Sequence, residues 1–245
     1  VSPTGKAQVL IGTSPHGQGS ATTFAQIVAD DLGLPLDDIE IVHGDTNTTR
    51  MGWGTYGSRT AAVTGGALKG AMTKFKEKAK VMAAHMLEAA AEDIEYDNGK
   101  LYVKGSPDNA KAIQEVVLMS HLAWNLPPGF EPSFEVSNFY NPPNYVYPFG
   151  AHIAIVEVDV ETGAIELKRY VAVDDCGPQI NPTIVAGQIH GGIVQGIGQA
   201  LCEGSVYDSN GQLLTGSMMD YALPRADMFP NFELDHTVTP SPHHP

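Results

Sequence analysis

The sequence predicts an α+β fold of mixed sheets covered by helices, and three observations lead there. Short alternating runs such as Ile39-Glu40-Ile41 read as half-buried strands. Runs with apolar residues three and four positions apart read as amphipathic helices. The two patterns follow one another along the chain, punctuated by Gly, Pro and Asn clusters, which places helices on sheets. With 245 residues the chain has room for one large domain or two small ones, and for a substantial core.

Residues 7–13, AQVLIGT, form the first strand. In the stretch that follows, SPHGQGSATTFAQIVADDLG, Phe24, Ile27, Val28 and Leu32 line one helix face. Ser20 is the expected N-cap of that helix and Gly33 the glycine just past its end. DDIEIVHG then gives a second strand, so residues 7–43 make a strand–helix–strand unit. Residues 45–60 form a long polar loop. A long helix follows, with Leu68, Met72, Phe75, Ala79, Met82 and Met86 as its core stripe. Asn98-Gly99 between alternating runs marks a hairpin over 94–103, and residues 112–122 read as another helix. Residues 151–177 form a second hairpin around Glu161-Thr162-Gly163, and residues 181–204 a helix containing Gly187, Gly191, Gly192, Gly196 and Gly198. Each helical glycine costs about 1 kcal/mol relative to alanine. A helix that keeps five should need close approach by a backbone or a ligand. The expected organisation is a first α/β unit over 1–124, a Pro/Gly/aromatic connection over 125–150 and a second α/β unit over 151–245.

Charge and composition exclude several classes. The formal net charge is -14, from 14 basic and 28 acidic residues, which argues against a nucleic-acid backbone as partner. The densest basic stretch, Lys69 to Lys80, reads as a solvated helix face. No apolar run approaches the ~18 residues of a membrane span, and no signal-peptide pattern opens the chain. Cys176 and Cys202 show neither metal-type spacing nor a disulfide framework, as expected of a cytoplasmic protein. The start at Val1 and the ending TVTPSPHHP suggest an excised piece of a longer polypeptide, or one segment of a split one.

Three glycine turns are the candidates for chemistry. Gly17-Gln18-Gly19-Ser20, with Thr22, stands at a helix start, where unpaired N–H groups and the helix dipole favour an anion. Gln18 adds an amide donor and acceptor. The pattern is neither G-x-G-x-x-G nor a P-loop. On residues alone, a tight turn and an anion site both remain open. The second turn, Gly54-Thr55-Tyr56-Gly57-Ser58-Arg59-Thr60, has the same character: hydroxyls and a guanidinium fork before the long helix. Helix cap and ligand site both remain open there too. The third, DDCGPQINP, ends a strand at Cys176-Gly177 and starts a helix at Asn181 with Pro182 at its first position; Gln188 lies further along that helix. Cys176 lacks a local base or cation and reads as a structural or contact residue, not a nucleophile. His243-His244 lacks further ligands for a metal. No Ser-His-Asp grouping, no G-x-S-x-G and no defensible acid–base pair is legible.

These segments in this order, GQG before a helix, GTYGSR before a long helix and DDCG…INP…GQIHGG, resemble one family over essentially the whole chain. It is the molybdenum-binding large subunit of the xanthine oxidase class of hydroxylases. Within that class the chain is most similar to the aerobic carbon monoxide dehydrogenase branch, as NPPNYVYPFGAH and TPSPHHP also are. The resemblance implies a molybdenum-dependent oxidoreductase of the carbon monoxide, aldehyde or xanthine oxidising type. It implies a molybdopterin cofactor, as the cytosine dinucleotide. Gly17, Gln18 and Gly19 would lie near the molybdenum. Gly54 to Thr60 would contact pterin or phosphate, Ser58 foremost, and Cys176, Asn181 and Gln188 would hold the dinucleotide. Because pterin sulfurs and oxo or sulfido groups bind molybdenum in this family, no protein metal ligand is expected.

The resemblance also implies what this stretch lacks. The family's general base, a glutamate in a G-x-G-E-like segment, would fall beyond Pro245, so no catalytic residue is expected here. The loop bearing the copper-binding cysteine would precede Val1. The chain is expected to supply part of a cofactor cradle and, alone, to purify inactive and without molybdenum. Its partners would be the remainder of the large subunit, an FAD-binding medium subunit and a 2Fe-2S small subunit, with no nucleic acid and no membrane span. A second reading keeps the fold but no working cofactor, leaving a scaffold or interaction domain.

Overall fold

A computed structural model describes residues 1–49 and 51–244; Arg50, inside the long polar loop, and Pro245, the last residue of TPSPHHP, lie outside the described residues. Strands β1 (Ala7–Ile11) and β2 (Ile39–His43) pair in parallel, from Ala7↔Ile39 to Ile11↔His43. Parallel neighbours need a crossover, and helix α1 (Ser20–Leu32) supplies it, burying Phe24, Val28 and Leu32. The expected N-cap moves by one residue. Gly19 caps α1 in the left-handed region at φ 75°, while Ser20 is already helical and buried. A residue with a Cβ adopts that backbone at a cost, so the glycine takes the position.

Helix α2 (Thr60–Met86) carries the expected stripe, with Leu68, Met72, Phe75, Ala79 and Met82 buried. It packs on α1, on α3 (Ile113–Leu122), and on a small antiparallel sheet of β3 (Ile94–Asp97), β4 (Lys100–Val103) and β5 (Lys111–Ala112). Asn98 and Gly99 both take positive φ in the β3–β4 turn, as a two-residue hairpin requires. The basic stretch of α2 is more than a solvated face. Lys69 and Lys76 both reach the Asp31 carboxylate, at 3.1 and 2.9 Å, and Lys74 donates to the Ser137 carbonyl. Burial would raise the Asp31 carboxyl, but Lys76 and Lys69 more than offset it and hold it below its usual range. Lys78 lies over the rings of Phe130 and Phe134. The stretch expected to be a connection is thus built into this core: Phe134 is 2% exposed and meets Phe75 edge-on at 5.4 Å.

The chain divides into two compact units, Val1–Val146 with the residues from Ser241 onward, and Tyr147–Pro240. In the second unit β6 (Phe149–Val158) and β7 (Ile165–Asp175) form the long hairpin, and β8 (Glu233–Thr237) pairs in parallel with β7. Where Ile155 steps to Val156 on β6, β7 steps from Arg169 to Leu167, a bulge that leaves Lys168 as the extra residue. Lys168 bridges Glu157 and Glu166. Helix α4 (Pro182–Leu201) covers one sheet face, with Ala172, Ile193 and Ile197 at the centre of the contact. Helices thus pack on open sheets in both units, a mixed α/β architecture.

The glycines of α4 differ from expectation. A Cβ at Gly198 would press on Pro224 and Glu203, but at Gly187, Gly191, Gly192 and Gly196 it would meet nothing within 4 Å. Among the described residues, nothing approaches those four closely.

Candidate functional site

The carboxyl ends of parallel strands, followed by helix starts, make the crevice where open α/β sheets place ligands. In the first unit, residues 12–19 leave β1 and lead to α1, and residues 51–59 lead to α2. The structure joins the two loops. The Gly54 N–H donates to the Gly12 carbonyl at 3.1 Å. The Thr55 hydroxyl accepts from the Ser14 N–H at 3.1 Å and donates to the Ser14 carbonyl at 2.6 Å. Gly12 and Gly52 approach so closely that a Cβ on Gly12 would stand 2.6 Å from the Gly52 Cα. Further along the helices, Asp31 of α1 meets Lys69 and Lys76 of α2. The two helices therefore start together and run in the same direction. The first turn of neither carries an acid, so both positive dipole ends are uncompensated by side chains.

The loop residues divide by what their side chains already do. Thr55 is spent on joining the loops. Gln18 is half spent: its Oε1 accepts from the His16 N–H at 2.6 Å, and its Nε2 is buried with no partner. The His16 donor requires an oxygen opposite it, which turns the amide NH2 the other way. Gly17, Gly54 and Gly57 have positive φ, and the space a Cβ would take is open at each. Ser58 is a non-glycine residue at φ 53° and is exposed. Such a conformation costs free energy and gathers at functional sites. The Arg59 guanidinium lies over the Tyr56 ring at 5.6 Å. Thr22 is exposed in the first turn of α1, and Thr60 is the first residue of α2. Met51 and Trp53 project from the same loop, Trp53 at 76% exposure.

The third turn lies in the second unit. Asp175 is 2% exposed and accepts four hydrogen bonds: the Gly177 N–H, the Thr237 hydroxyl, and both the N–H and the hydroxyl of Thr239. Burial pushes the carboxyl up, but the Thr239, Gly177 and Thr237 donors outweigh it and bring it down to about 2. That carboxylate holds the turn in shape. The exposed Cys176 beside it has its thiol pushed up, first by partial burial and then by the Asp175 charge, so it stays protonated and a poor nucleophile. The Asn181 Oδ1 caps α4 by accepting from the Ile184 N–H at 3.0 Å, with Pro182 at the first helical position. Gln188 is exposed on α4. The turns around Gln18 and Ser58 are thus brought together in one unit; Cys176, Asn181 and Gln188 belong to the other.

Three residues the motif reading passed over stand at the same end of the β1–β2 sheet: Thr13, His43 and Thr49. Each has a buried side-chain polar atom without a partner among the described residues. The signal in the sequence is their position: Thr13 lies two residues past β1, His43 ends β2 and Thr49 lies six residues past it, at the carboxyl ends where open α/β sheets place ligands.

Among the described residues no cluster of three or more His, Cys, Asp or Glu is placed to hold a metal ion, and no helix is long and apolar enough to cross a membrane. The site's available chemistry is recognition of a ligand with anionic and hydrogen-bonding groups.

Paired glycine loops at two helix starts on this fold suit a ligand with anionic and hydrogen-bonding groups. The family described as a molybdopterin cofactor-binding domain matches residues 1–230, and the chain belongs to it. It is similar to the carbon monoxide dehydrogenase large chain of Afipia carboxidovorans (46% identical over 245 residues) and of Hydrogenophaga pseudoflava (44% over 246 residues), spanning all of this chain and 30% of each relative. It is 39% identical to the nicotine 6-hydroxylase large subunit of Paenarthrobacter nicotinovorans over 97% of this chain and 29% of the relative. The crystal structure of a Cu,Mo-CO dehydrogenase superposes with a TM-score of 0.92 at 45% identity, over 100% of this chain and 30% of that one. Quinoline 2-oxidoreductase from Pseudomonas putida 86 superposes with a TM-score of 0.91 at 43% identity, over 100% of this chain and 31% of that one. The chain therefore corresponds to one region of molybdenum hydroxylase large subunits and has a molybdopterin-binding role.

Proposed function

We propose that the chain forms part of the cofactor cradle of a molybdenum-dependent hydroxylase of the carbon monoxide, aldehyde or N-heterocycle oxidising class. The observation that carries this is the joined pair of loops 12–19 and 51–59, with the Gln18 Nε2 buried and unpaired between two glycines. The residues fit a molybdopterin. Open space at Gly17, Gly54 and Gly57 admits a ligand to the backbone. The acid-free starts of α1 and α2 suit phosphate, and the Gln18 amide suits a hydrogen-bonding edge.

In this reading Gly17, Gln18 and Gly19 hold the cofactor near its molybdenum, and Ser20 and Thr22 line the start of α1. Gly54, Gly57, Ser58 and Thr60 contact pterin or phosphate, while Thr55 and Tyr56 shape that loop. Cys176, Asn181 and Gln188 take the nucleotide half of a cytosine dinucleotide. When bound, the molybdenum centre supplies a two-electron oxidation with water as the oxygen source. The residues of this chain orient the cofactor and exclude water from its polar edge. The partners in this reading would be 2Fe-2S and FAD subunits, which would carry the electrons away, and the compartment would be the cytoplasm. The test is Gln18→Ala in the complete enzyme: cofactor retention or turnover falls. Unchanged molybdenum content together with an unchanged rate would remove Gln18 from the site.

A further inference from the structure

Among the described residues, seven buried side-chain polar atoms have no hydrogen-bond partner, and four of them lie between residues 13 and 49: Thr13 Oγ1, Gln18 Nε2, His43 Nδ1 and Thr49 Oγ1. The other three, on His85, Ser120 and His244, are spread through the rest of the first unit. Leaving such a group unpaired forfeits its solvation with nothing in return, and folded proteins carry few. Four at one end of a two-stranded sheet are a concentrated demand for partners.

Topology brings them to one place. His43 ends β2 opposite Ile11 of β1, and Thr13 stands two positions beyond Ile11. Thr49 donates its backbone N–H to the Asp45 carbonyl, and the chain then returns at Met51 and Gly52 to touch Gly12, the neighbour of Thr13. Gln18 leads into α1 from the same loop. None of Thr13, His43 or Thr49 belongs to a glycine motif, and none has a hydrogen bond through the atom in question.

We propose that Thr13, His43 and Thr49 form a second bank of ligand contacts, hydrogen-bonding the polar edge of the bound molybdopterin beside the glycine turns. The proposal rests on the cofactor-cradle reading. Two hydroxyls and an imidazole can each donate or accept, so they suit a pterin ring system, whose edge alternates donors and acceptors. The bank explains why the fold tolerates these atoms: the ligand completes them.

The test uses the complete enzyme with Thr13→Val and Thr49→Val, singly and together, and His43→Phe as an independent variant. Valine keeps the shape and removes the hydroxyl. Two readouts are taken, the rate of pterin release on dilution and the melting temperature with and without cofactor. Loss of two hydrogen bonds speeds release about tenfold or more in the double variant. The cofactor-free protein melts at the same temperature or higher, because an unpaired hydroxyl has been removed, and Thr→Ser at both positions restores slow release. Unchanged release from a loaded enzyme overturns the proposal and leaves the cradle reading standing. So does an equal drop in melting temperature with and without cofactor, which marks a purely structural role or one filled by water. Wild-type enzyme without bound pterin overturns the cradle reading, and the proposal with it.

Discussion

At the scale of single residues, the two best-defined polar groups do opposite jobs. Gln18 has one end of its amide fixed by the His16 N–H and the other, among the described residues, left without a partner. Asp175 has every demand met by four donors, the state of a group that holds structure. Its pH dependence follows from the sign of its shift. A carboxyl held down to about 2 contributes stability that is fully present above the unfolded value of about 3.9 and is lost as pH falls through about 2. Asp175→Asn should therefore destabilise the β7–β8 end at neutral pH, and the gap from wild type should close between about pH 4 and pH 2. Thermal melts of both proteins across that range check it; a gap unchanged down to pH 2 would refute the anchoring role. Gln18 was legible because it sits between two glycines at a helix start. The role of Asp175 was not, because its donors Thr237 and Thr239 lie more than sixty positions away and nothing local announces them.

At the scale of elements, periodicity was sufficient for α1, α2 and both hairpins, where each stripe or alternation is local. It was insufficient where a contact is long-range. Ser20 has the chemistry of an N-cap, yet the turn's left-handed backbone gave that position to Gly19. Residues 126–136 have no period, yet Phe130 and Phe134 pack into the first core beneath Lys78. The glycines of α4 sharpen the point, since sequence marks them alike and structure separates them. Gly191→Ala should stabilise α4 by about 1 kcal/mol in this chain, because the helix gains propensity and the new methyl meets nothing. Gly198→Ala should destabilise it, because Pro224 and Glu203 must give way. Denaturant melts of the two variants should move in opposite directions; a shared direction would contradict the packing. The joining of the two loops has its own test. Gly12→Ala drives a methyl into the Gly52 backbone and should separate the loops, lowering cofactor content in the complete enzyme while Gly17→Ala, with open space at its Cβ, acts mainly through its positive φ.

At the scale of the whole molecule, the chain matches its relatives along its full length but spans only 30% of theirs. Strand β6 is exposed throughout, with Ile153 at 60% and Phe149, Ile155, Val156 and Val158 also open to solvent. An edge strand with exposed apolar side chains favours association. The 245-residue chain should accordingly self-associate with rising concentration, and Ile153→Lys should reduce this in light scattering; equal association in both would place the contact elsewhere. The sequence placed the family through the order of three glycine turns. It could not show that the first two turns are bonded to each other, because Thr55 and Ser14 meet only in the fold. In the proposed function these joined loops hold a molybdopterin. The most direct measurement is the pterin and molybdenum content of the purified complete enzyme, compared with its Gln18→Ala and Gly12→Ala variants. The cradle predicts equimolar pterin and molybdenum in the wild type and reduced content or turnover in both variants; a wild type without pterin, or variants that keep both a full complement and an unchanged rate, would contradict it.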